Sequence, residues 1–202
     1  MKMQISFLLI AFIAVAQPAL SQTNWKLAKT KDGIAVYEGT SKSSSYKSIK
    51  VECTLNGSYD RLLSVLTNVS LHHEWVYNNK SASLLRMVNP ADFYYYTETS
   101  LPWPMSNRDA VIHTIIKRDS LDRFLSIHSV ADAAYAPEKS GKVRVKSSDV
   151  TWYVSKASPT SIHVVYTLAA DPGGSVPAWL VNSFVEKGPY ESFKKLRDLV
   201  EQ

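Results

Sequence analysis

The sequence predicts an α+β domain: one curved antiparallel sheet carrying an amphipathic helix at its C-terminal end, with two short helices inserted early. Three observations predict it. Runs of alternating apolar and polar residues succeed one another from Ser81 to Ala170, separated by turn signals and not by helices, so there is no βαβ alternation. Helical spacing is confined to the stretch after Ser58 and to the end of the chain. The 202 residues, 45% of them hydrophobic, suffice for one domain with a substantial core.

The elements follow in order. The turn signal Asp32-Gly33 precedes a short alternating strand over 34–38, and a second strand runs over 46–55. Asn56-Gly57 breaks it, and Ser58 caps a helix over 58–67 whose Leu62, Leu63, Val65 and Leu66 recur at near-helical spacing. A second helical turn is expected over 69–77. Strands then follow over 81–88, 92–100, 108–117, 123–131, 143–154 and 161–170. Val143 and Val145 fall on odd positions, but Val150, Trp152 and Val154 on even ones, which predicts a bulge near Ser147-Ser148. Asp171-Pro172-Gly173-Gly174 ends the last strand. The closing helix is expected over 176–201, with Pro177 in its first turn and a kink or break at Gly188-Pro189, where proline removes a hydrogen bond. Its apolar stripe is Trp179, Leu180, Phe184, Phe193, Leu196 and Leu199.

The first 21 residues are read as a signal peptide. Lys2 supplies the positive end, residues 5–15 are apolar apart from Ser6, and Ala19-Leu20-Ser21 places small residues before a cleavage site. The run is short for a membrane span. The domain is therefore expected over 24–202, exported to the periplasm or the extracellular space, and starting at Gln22 once cleaved. The formal charge of +5 is spread along the chain, which suits an anionic membrane surface, and no nucleic-acid motif is present. Cys53 has no second cysteine to pair with and is expected to be a buried thiol.

The run Leu101-Pro102-Trp103-Pro104-Met105-Ser106-Asn107-Arg108-Asp109 stands apart. Two prolines in three residues cannot join a ladder, so this is a rigid loop. It lifts Trp103 and Met105 out of the sheet, and an amphipathic tryptophan suits a wet–apolar boundary. A tryptophan folded back on its own core is the competing reading. Arg108 and Asp109 are read as an ion pair that anchors the loop.

The order P-W-P-M-S-N-R-D resembles START domains, the StAR-related lipid-transfer family, and within it the phosphatidylcholine-transfer branch. The resemblance begins near Trp25 and runs through Asp32 to Tyr37, Trp75, Gly141-Lys142-Val143-Arg144 and the stretch from Asp171 to Asn182. It implies a helix-grip fold, in which the sheet grips the C-terminal helix and encloses a hydrophobic tunnel for one lipid, exposed when that helix and a nearby loop open. The expected lining is Trp75, Phe93, Tyr95, Thr97, Ile112, Thr114, Tyr166, Trp179 and Phe184. Residue physics agrees: Phe93, Tyr95 and Thr97 share one strand face, and Ile112 and Thr114 share another, giving an apolar wall with a few polar groups. Both faces of the 92–100 strand carry aromatics, so both are expected to be covered.

The resemblance also shows departures. Phosphatidylcholine-transfer members hold the phosphate with an arginine before the tryptophan matching Trp75, whereas this chain has Ser70-Leu71-His72-His73-Glu74 there. Sterol-binding members place an acid and an arginine in the tunnel, where this chain offers Tyr95 and Thr114. No catalytic residue, metal site or cofactor is assigned: the five histidines lack metal-ligand spacing, and no nucleophile elbow or phosphate loop is visible. Two functions remain. The first is a non-enzymatic, monomeric carrier or sensor of a lipid or other hydrophobic molecule, touching membranes transiently. The alternative is a helix-grip enzyme acting on an apolar substrate, for which His128 and Glu98 are the residues to test.

Overall fold

An Asp-Gly pair at positive φ starts the fold. Asp32 (φ 52°) and Gly33 (φ 70°) close a tight hairpin between β1 (Asn24–Lys31) and β2 (Ile34–Ser41). The computed structural model describes residues 24–41, 44–177, 180, 184–185 and 187–202. The signal-peptide reading and Trp179 lie outside the described residues. β3 (Ser44–Asn56) leads to α1 (Tyr59–Leu66), a short 3₁₀ turn (Val69–Leu71) and α2 (His72–Trp75). Ser58 caps α1, its side chain accepting from the Arg61 amide at 3.1 Å.

Seven strands follow: β4 (Asn79–Asn89), β5 (Asp92–Thr99), β6 (Asn107–Arg118), β7 (Phe124–Ala131), β8 (Lys142–Arg144), β9 (Ser147–Ser158) and β10 (Ser161–Asp171). Among the described residues they complete one curved, open sheet in the order β1-β2-β3-β10-β9-β7-β6-β5-β4, antiparallel at each step. β8 pairs in parallel with β6. α3 (Gly188–Val200) lies on the concave face, burying Tyr190, Phe193, Leu196 and Val200 at helical spacing. These pack with α1 and with Val36, Val51, Leu55, Val154 and Val164 from the central strands. The expected α+β, helix-grip architecture is the one observed.

Three local expectations are corrected. β1 was not expected, although an Asp-Gly hairpin requires a strand on each side; its residues are mostly exposed and carry little alternation. The phase change near Ser147 is not a bulge inside one strand. The chain changes partner there, from β6 to β7 and β10. The closing helical segment does not begin at Val176, since residues 175–177 are not helical, but the expected break at Gly188-Pro189 is observed: residues 180 and 184–185 are helical, Lys187 is a turn, and Pro189 sits in the first turn of α3, where its missing N–H costs nothing.

Candidate functional site

A cavity of about 460 Å³ lies between the concave face of the sheet and the C-terminal segment. Period-two alternation builds its walls. Tyr95, Thr97 and Thr99 of β5 face it, beside Ile112, Ala110 and Arg108 of β6, and the register pairs them in that order. Across the sheet, Trp152, Val150 and Ser148 of β9 stand opposite Tyr166, Leu168 and Ala170 of β10. Trp75, Val76 and Tyr77 supply another wall, and Leu180, Phe184, Ser192 and Phe193 supply the helical side. Its volume falls in the usual range for small-molecule sites.

The cavity is graded along its length. At one end sit Leu101, Thr99, Arg108, Pro172 and Val176, all at or beside the two loops. At the other, rings accumulate. Tyr95 meets His72 edge to face (5.2 Å between centroids), His72 meets Trp75 (5.6 Å), Trp75 meets Trp152 (6.4 Å) and Trp152 meets Tyr166 (4.7 Å). A small pocket of about 50 Å³ shares His72, Trp75, Tyr95, Ser129 and Trp152 with this end.

The polar groups at the aromatic end are neutral. His72 Nε2 meets the Leu66 carbonyl at 3.0 Å, and a carbonyl only accepts, so Nε2 carries the proton. Burial lowers the His72 pKa and leaves the ring uncharged. Burial pushes the Tyr95 hydroxyl up to about 12 and raises Tyr166 as well. Trp75 Nε1 is buried with no acceptor, a state that costs about 1–3 kcal/mol when nothing compensates it.

At the loop end one side chain ties two segments together. Arg108 donates from Nη1 to the Ser106 carbonyl (2.7 Å), from Nε to Pro172 (3.2 Å) and from Nη2 to Gly173 (3.0 Å). Arg108 and Asp109 are therefore not an ion pair with each other. Successive strand residues point to opposite faces, and Asp109 instead takes a bidentate bond from Arg144, 3.0 Å to each oxygen. Trp103 is 92% exposed and Met105 half-buried, so this tryptophan does not fold back on the core.

Of the residues expected to line a tunnel, Trp75, Tyr95, Thr97, Ile112, Tyr166 and Phe184 line the main cavity. Phe93 and Thr114 line the small pocket at its aromatic end. Arg108, His72 and Trp152 line the cavity without having been singled out for it. Only the odd/even alternation of Trp152 pointed inward; the other two needed the fold. The outer face of β5 is covered too, Tyr94 being stacked between His113 (4.1 Å) and Tyr135 (4.3 Å). Glu98 lies on that outer face, held by Lys142, Lys80 (3.2 Å) and Asn107 (2.7 Å). His128 is exposed and bonds Asp149 at 3.1 Å. Neither lines the cavity. Cys53 is buried, and burial pushes its thiol up to about 12, far from a nucleophile's range. Among the described residues no cluster of His, Cys, Asp and Glu has the arrangement of a metal site, and no helix is long and apolar enough to cross a membrane.

Comparison with known proteins is consistent along the chain. The START domain profile matches residues 11–202. An uncharacterized protein of Pseudomonas aeruginosa is 31% identical over 99% of this chain and 98% of its own length. Mouse phosphatidylcholine transfer protein is 29% identical over 85% of this chain and 81% of its own. The crystal structure of a STAR-related lipid transfer protein fragment from Xanthomonas axonopodis superposes with a TM-score of 0.80 at 30% identity, covering 88% of this chain and 99% of that one.

Proposed function

The chain belongs to the START domain family, and on that premise we propose that it is an exported, non-enzymatic carrier of one lipid or other hydrophobic small molecule. The observation that carries the reading is the 460 Å³ cavity beneath the C-terminal helix, walled mainly by apolar and aromatic side chains. Burying a fatty chain there contributes about 0.8 kcal/mol per CH₂ at best, so affinity rises with chain length. The names of two relatives, a phosphatidylcholine transfer protein and a STAR-related lipid transfer protein, support the same class of ligand. The arginine that phosphatidylcholine-transfer members use is replaced here by the sequence around His72, so the headgroup is chosen differently.

Entry is through the loop end. Trp103 and Met105 insert at a membrane surface, and Arg108 releases the carbonyls of 106, 172 and 173 as the 101–107 loop and the C-terminal segment part. The protein works as a monomer. Residues 1–21 direct export to the periplasm or beyond, and the mature chain starts at Gln22.

Vesicle-to-vesicle transfer of a fluorescent lipid tests this. Transfer is expected to be faster with anionic acceptor vesicles and to fade with salt, because the chain is net positive. Trp103→Ala is expected to slow it several-fold while changing stability by no more than about 0.5 kcal/mol, as for other exposed sites. Wild-type protein that moves no lipid between vesicles overturns the carrier reading. Normal transfer by Trp103→Ala overturns the role of the loop.

A further inference from the structure

We propose that the aromatic end of the cavity is a subsite for an uncharged oxygen of the ligand, held by the hydroxyls of Tyr95 and Tyr166. The inference rests on the carrier reading above and adds which end of the ligand enters first and what chemical group it carries. Tyr95 reaches the cavity from β5 and Tyr166 from β10, on opposite flanks of the strands between them. A continuous run of ring contacts joins them, from Tyr95 through His72, Trp75 and Trp152 to Tyr166.

Hydrogen-bond accounting then fixes the chemistry. Among the described residues neither hydroxyl has a partner, and neither is sealed away from the cavity. Trp75 Nε1, in the same wall, also lacks an acceptor, but it is sealed from the cavity and does not face a ligand. The other hydroxyls at this end are satisfied, Thr114 and Ser129 bonding each other at 2.8 Å. Two unused donors at one apolar end call for an acceptor. A hydrocarbon tip would leave both unpaired. An anion would be buried far from a positive charge, because Arg108, the cation of the cavity lining, stands at the loop end. His72 is neutral and both tyrosines keep their protons. What fits is a ketone, ester or hydroxyl oxygen, entering first, with the rest of the ligand trailing toward the loops.

The test is a variant-by-probe cycle on the full chain with two probes of equal length, dodecane and 2-dodecanone. Tyr95→Phe and Tyr166→Phe keep the rings and remove only the hydroxyls. Each is expected to weaken 2-dodecanone about three- to tenfold and to leave dodecane unchanged. The infrared carbonyl band of bound 2-dodecanone is expected at lower frequency than in hydrocarbon solvent, and to move up in each variant. The wild-type band alone still decides the matter if a variant fails to fold. An unshifted band, a shifted band indifferent to both variants, or equal losses for both probes overturns the subsite while leaving the carrier reading standing. Failure of the wild type to bind either probe removes both.

Discussion

The side chains of Asp109 and Arg144 are each 1% exposed and meet in a bidentate pair, with the remaining Arg144 donors on the carbonyls of Ala133, Ala136 and Pro137. A buried pair of this kind adds little against an apolar alternative, but removing one partner strands the other. Asp109→Ala is expected to cost about 3–5 kcal/mol in urea unfolding, since Arg144 cannot leave. Glu98 behaves differently. Burial alone would raise its carboxyl, but the bonds from Lys142, Asn107 and Lys80 outweigh burial and bring it down to about 2. The folded state thus binds this proton more weakly than the unfolded chain. The resulting stability is complete above the ordinary value of 4.5 and is lost as the pH falls toward 2. Glu98→Gln is expected to remove about 1–3 kcal/mol of that dependence, read as a flatter acid limb of stability between pH 4.5 and 2.

At the scale of elements, the mouth is built from two loops that Arg108 joins. The Gly173-Gly174 turn has both residues at positive φ (69° and 62°), a conformation other residues rarely take. A Cβ on Gly173 would also meet Val143 Cγ1 at 3.1 Å. This places the 172 and 173 carbonyls where Arg108 reaches them. Arg108→Met keeps the bulk and removes the donors. It is expected to raise hydrogen exchange at least tenfold in 101–107 and 172–176 while the amides of β5 and β10 stay protected. Equal exchange in both loops would show that they are held by something other than this side chain. α3 is fastened separately: the Tyr190 hydroxyl donates to Asp32 (2.5 Å), and Arg197 donates to the Asp32 carbonyl (2.7 Å). The helix is thereby tied to the first hairpin.

At the scale of the molecule, the sheet and the closing helix were legible because their patterns are local. Tyr95 and Thr97 alternate with Tyr96 and Glu98, and Phe193 and Leu196 recur at helical spacing, although Val200 and not the expected Leu199 is the fully buried residue of the last turn. What failed were statements about partners. The Asp109–Arg144 pair joins residues 35 apart, through a register that no periodicity encodes, so the adjacent Arg108 looked like the natural partner. The exchange of β6 for β10 near Ser147 left only a change of phase, and a bulge leaves the same trace. The aromatic end of the cavity draws Trp75, Tyr95, Trp152 and Tyr166 from four separate elements. Each residue reads as core by itself, and only the curvature of the sheet turns them into a wall.

A cavity of this size and lining is expected to hold one hydrophobic molecule. Native mass spectrometry of the protein purified without detergent tests it most directly. One adduct per chain is expected, disappearing on organic extraction and returning after incubation with lipid vesicles. At a ligand concentration about 100 times Kd, rebinding stabilises by about 2.7 kcal/mol, a rise in melting temperature of roughly 5–10 °C. A bare polypeptide mass after exposure to vesicles, with an unchanged melting temperature, would contradict it.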